Sequence, residues 1–182
     1  MLSPGVASKR FFGHGESQMR ISKSPRIIGM LTGALGGITG GIAEIGWIGL
    51  YGAATGIPLR PVARGIVESI VPTLATSAWA PEFGVLIHLG LAVALGIAVA
   101  LVMPLVARRP EALRSELILL TLSILMAVWA INFLVVLPHI NPAFVHLLPH
   151  SVTLFSKLLF GLAAATVFCA APATGVAGVT RF

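Results

Sequence analysis

An all-α integral membrane bundle of four spans is the fold class that this sequence predicts, on three observations. The 182 residues are 57% hydrophobic and only 10% charged, whereas a soluble domain carries about 25% charged residues. Apolar runs stand out at 27–51, 83–106, 117–137 and 152–171, each able to supply the ~20 residues that one span needs. Lys and Arg gather on one side of those runs, which is the charge pattern of membrane topology.

The opening segment 1–26 is basic and rich in Ser and Gly, and reads as a disordered cytoplasmic tail. The run after it is too long for the roughly 7–15-residue core of a cleaved leader, so no cleavage is expected. Lys9, Arg10, Arg20, Lys23 and Arg26 precede the first span. Arg108, Arg109 and Arg114 lie between the second and third, and Arg181 lies in the short tail 173–182. Only Arg60, Arg64 and Lys157 fall on the other side. The expectation is a multi-pass protein of a bacterial inner membrane with both ends in the cytoplasm.

The first span holds "GALGGITGGIAEIG". At ~100° per residue, Gly29, Gly33, Gly36, Gly37, Gly40, Gly41 and Glu44 share an arc of ~140°. Glycines at four-residue spacing let another helix backbone come close. Glu44 therefore belongs to a packed face, with Trp47 and Tyr51 continuing the stripe outward. A face flat below and bulky above is expected to leave an outward-facing cavity near Glu44.

Each remaining span carries a polar residue of its own. His88 interrupts the small-residue row Gly84, Ala92, Gly96 and Ala100 of the second span. Asn132 lies near Trp129 on the third, and Lys157 heads the row Gly161, Ala165 and Cys169 of the fourth. Counting 1.5 Å per residue from mid-run puts Glu44 ~7 Å, Asn132 ~8 Å, Lys157 ~9 Å and His88 ~10 Å toward the outer side. One outer-leaflet layer is thus expected to collect all four. Two readings stay open, a ligand, ion or proton pocket and polar glue between helices.

Both outer loops carry prolines around a short apolar piece. "IPLRPVARGIVESIVP" is amphipathic as a helix, with Val62, Ile66, Val67 and Ile70 on one face and Arg60, Arg64 and Glu68 on the other. It reads as a helix lying on the outer surface, closing the bundle or serving as a lid. The second loop, "LPHINPAFVHLLPHS", gives the chain the look of one hairpin unit used twice. It holds His139, His146 and His150, and the four-residue spacing of the last two is a candidate metal arrangement. Pro142 and Pro149 break the helix that such a site would use.

Other classes are disfavoured. The net charge is +6, but the basic residues do not interleave with aromatics, so no nucleic acid is expected. No GxSxG, phosphate-binding GK[ST] loop or HExxH is present, so no enzyme activity is indicated. Cys169 is the single cysteine, without an internal disulfide partner. No cofactor is expected, since only His88 lies deep in a span and a bis-His haem needs two. The partners expected are the lipid bilayer and, through the glycine face, a second copy or a larger membrane complex. An accessory or assembly subunit is accordingly the alternative to a polar pocket that handles a small solute, ion or proton.

Four segments together carry a family resemblance: "GGITGGIAEIGWIGLYG", "GIPLRP", "IHLGLAVALG" and "SKLLFGLAAA". Across roughly residues 27–170 the pattern resembles the YagU-like group of small four-span bacterial inner-membrane proteins. The resemblance implies this architecture and supplies no activity. Where that group favours a histidine ahead of the fourth span's glycine, this chain has Lys157.

Overall fold

A computed structural model describes residues 25–106 and 114–171. Most of the basic tail, the inner-loop residues Arg108 and Arg109, and the 173–182 tail lie outside the described residues. Within them the chain is all helical, and four helices are long and apolar enough to cross a membrane. This is a multi-pass membrane protein.

The first span is α1, Pro25–Thr55. It ends at Gly56, whose φ of 74° is a left-handed conformation that favours glycine and closes a helix by a backward hydrogen bond. A short helix α2, Arg60–Ile70, follows, with Pro61 in its first turn. The second span is α3, Ala80–Val106. The third begins as α4, Arg114–Ile131, passes through a π turn at Asn132–Val136, and continues as α5, Leu137–Ile140. Pro138 accounts for the π turn: it offers no N–H to Leu134 and its ring pushes that carbonyl aside. Leu137 N–H then bonds five residues back to Asn132 O. A second short helix α6, Pro142–Val145, leads to the fourth span α7, His150–Ala170.

α1 packs on both α3 and α7, and α4 packs mainly on α7 while also touching α3. The glycines of α1 divide between its two neighbours. A Cβ at Gly33 would come within 2.6 Å of Ile97 Cα, and one at Gly37 within 2.7 Å of Val93 Cα, both on α3. On the other flank, a Cβ at Gly36 would meet the Phe168 ring and one at Gly40 the Phe160 ring, each at 2.7 Å, both on α7. Gly41 abuts Ala92, Gly96 abuts Gly33 and Gly37, and Gly161 admits Leu122 of α4. Gly29 is buried as well. The core that results joins Ala92, Val99, Ala100 and Met103 of α3 to Leu125 of α4 and Phe160, Ala164 and Phe168 of α7.

The loop helices meet at the end of the bundle opposite the C-terminus of α3 and the start of α4. Gly84 at the start of α3 lies against the Ala63 carbonyl of α2, and Gly65 of α2 lies against the Phe144 ring of α6. Asn141 ties this layer together. Its Oδ1 accepts from Phe144 N–H at 3.1 Å, while its Nδ2 donates to Gly65 O at 3.3 Å and Ser69 Oγ at 3.1 Å. The amphipathic reading of α2 is met by Val67, which is fully buried, but Ile70 is exposed. Ile70 is the last residue of its helix.

Candidate functional site

Glu44 sits one turn beyond Gly40, at the end of the row that faces α7. It is buried, with 5% of its surface exposed. The Lys157 ammonium straddles the carboxylate, at 2.8 Å from Oε1 and 3.0 Å from Oε2. Ser156 Oγ adds a hydrogen bond to Oε1 at 3.2 Å, shared with Thr153 O at 2.8 Å. From the opposite flank, His88 of α3 brings Nε2 to 3.6 Å from Oε2. That distance is beyond hydrogen-bond range, and His88 Nε2 is buried with no hydrogen-bond partner among the described residues.

Local sequence explains the convergence. Small residues at 33, 36, 37, 40 and 41 let α3 and α7 close on α1 from both sides, so residues one turn further on must meet across the seam. Lys157 is held within the bundle, with only 15% of its side chain exposed, and its Nζ lies 5.1 Å from the Phe160 ring centroid. That position lets one cation serve both a carboxylate and an aromatic face. Trp47 covers the cluster one turn along α1. Its Nε1 donates to Val152 O at 3.1 Å and its ring lies against Phe155, centroids 4.6 Å apart. Tyr51 is half-buried one turn beyond.

Asn132 does not join this group. It is exposed and makes no side-chain hydrogen bond among the described residues. The reason is level as well as direction. Trp129 donates to Thr153 Oγ1 at 3.1 Å, and both Trp129 and Phe133 lie edge-on to His150 at the very start of α7. At 1.5 Å per residue His150 is ~10 Å along α7 from Lys157. α4 therefore reaches Asn132 only where the helix it packs on is ending.

Where the sequence predicts a cavity near Glu44, the carboxylate is enclosed by Lys157, Ser156 and His88. A cavity of about 350 Å³ lies between α2 and α6. The loop histidines each have separate neighbours. His139 Nδ1 is 2.6 Å from Val135 O, His146 is exposed, and His150 packs against Trp129 and Phe133. Among the described residues, no group of three His, Cys, Asp or Glu side chains is placed to hold a metal ion.

Two functional groups were not read from the sequence. Ser156 adjoins Lys157, and hydroxyls in spanning helices commonly bond back to a carbonyl of the preceding turn, so its reach to Glu44 follows only once α1 is in place. Asn141 carried a signal, since Asn before Pro is a helix N-cap pattern. Comparison with protein-family models, with curated proteins and with solved structures gives no match.

Proposed function

We propose that this membrane protein binds and releases a proton at the intramembrane site formed by Glu44, Lys157 and His88. The single observation that carries this reading is the unpartnered His88 Nε2, buried and 3.6 Å from a carboxylate oxygen. Glu44 and Lys157 neutralise one another, so the site is uncharged while His88 is neutral. A proton on His88 makes Nε2 a charged donor aimed at Oε2, and a small approach closes the missing hydrogen bond. The enclosure of the carboxylate favours a proton or a bare ion over a larger solute.

Ionisable residues within spanning segments are functional by default because burying them is costly. Under the proposed orientation, with both ends in the cytoplasm of a bacterial inner membrane, the site lies toward the outer side. The accessory-subunit alternative needs a free glycine face, and α3 and α7 already occupy Gly33, Gly36, Gly37, Gly40 and Gly41.

Nitrogen-15 spectra of histidine-labelled protein in bilayers test the proposal. His88 should take up one proton as the pH falls. In Glu44→Gln it should remain neutral at the same pH. A His88 signal that never changes, or one indifferent to Glu44→Gln, would overturn the assignment.

A further inference from the structure

The cavity between α2 and α6 is lined by Arg60, Pro61, Arg64 and Glu68 on one side and by Ala143, Phe144 and Leu147 on the other. We propose that it seats the headgroup of a phospholipid that carries both a phosphate and a primary ammonium. The inference is independent of the proton site.

Charge order within the groove is the first argument. Arg60, Arg64 and Glu68 follow at four-residue intervals, which stacks them along one helix face at ~6 Å steps. The two guanidiniums come first, at the N-terminal end of α2. That end has no side-chain cap, so the helix dipole adds to the positive potential where the phosphate would sit. Glu68 lies one turn beyond, where an ammonium a few bonds from that phosphate would reach it. A plain anion would find Glu68 repulsive, and a soluble zwitterion would leave the apolar wall of Phe144 and Leu147 unused.

Location is the second argument. α2 joins α1 to α3, and α6 belongs to the loop joining the third span to α7, so both lie where spanning helices leave the hydrocarbon. Between α2 and α3, Trp79 is 67% exposed, and Leu74 and Ile70, the last residue of α2, are exposed too. Exposed Trp and aliphatic side chains in one connecting segment belong at the level of lipid headgroups. The groove floor is fixed by Asn141 and by the Gly65–Phe144 contact, so the site is preformed. Arg60 also approaches Glu82 at 3.9 Å, but both side chains are exposed and the pair is weak.

The test is native mass spectrometry of the protein released from nanodiscs holding equal phosphatidylethanolamine, phosphatidylcholine and phosphatidylglycerol. Phosphatidylethanolamine should be retained over the other two by at least about threefold. Arg64→Gln should lower retention of every phospholipid, by about tenfold. Glu68→Gln should keep phospholipid but lose the preference for the ammonium headgroup, with phosphatidylglycerol rising to equality. Both residues are exposed, and circular dichroism checks that the variants stay folded. Equal retention of all three lipids by the wild type, or an unchanged preference in Glu68→Gln, would overturn the proposal. So would displacement of the bound lipid by soluble phosphoethanolamine at matched concentration, because the apolar wall would then contribute nothing.

Discussion

α1 and α4 are both long apolar helices, yet they are held very differently. Within the most apolar stretch of each span, 44% of residues are buried in α1 and in α7, but only 11% in the span that contains α4. The difference is side-chain size. α1 brings glycine to both neighbours, and backbones in contact bury whatever polar group follows them. α4 brings Leu, Ile and Val, touches mainly α7, and turns most of its surface to lipid. Without a hydrophobic driving force between helices in a bilayer, close van der Waals fit decides which faces pair. Glu44 and Asn132 are both polar groups in the halves of their spans nearer the loop helices. The first is enclosed and ion-paired, and the second is exposed.

The largest effect expected from this contrast comes from Lys157→Met. It leaves Glu44 buried without a cation, which costs about 3–5 kcal/mol, and unfolding titrations in mixed micelles should register most of that loss. Gly37→Leu comes next, because its side chain would start against the Ala92 carbonyl and Val93 Cα. Overpacking of that kind costs about 1–3 kcal/mol, whereas Gly46→Leu, with open space around it, should stay within about 0.5 kcal/mol of wild type. If the two glycine variants unfold alike, backbone approach is not what binds α1 to α3. Asn141→Ala removes the clamp between α2 and α6 and should cost about 1–3 kcal/mol, with faster amide exchange confined to the loop helices. The smallest change is expected at Asn132→Leu, within about 0.5 kcal/mol of wild type. A loss there as large as that of Lys157→Met would erase the contrast between the two helices.

Composition and run length were enough to read four spanning helices, since burying backbone in lipid leaves helices and closed barrels as the only options. The glycine row that ends at Glu44 was also legible, as was the small-residue row through His88, and their side chains do lie together with Lys157. Asn132 was misplaced because depth was counted from the middle of an apolar run. The point at which α7 begins beside the third span is a relation between helices, and no single run encodes it. The cavity expected beside Glu44 was inferred from bulk at Trp47 and Tyr51. Trp47 instead turns its N–H onto Val152 O, which closes the seam. At His139, His146 and His150 the four-residue spacing had no continuous helix to act on, because Pro149 starts α7 between the last two.

The most direct test of the account is a double-mutant cycle on unfolding free energy with Glu44→Gln and Lys157→Met. A shared buried ion pair predicts a coupling of about 2–3 kcal/mol, with the double variant more stable than Lys157→Met alone. Additive losses, or a coupling no larger than the ~0.6 kcal/mol typical of polar contacts between spanning helices, would contradict it.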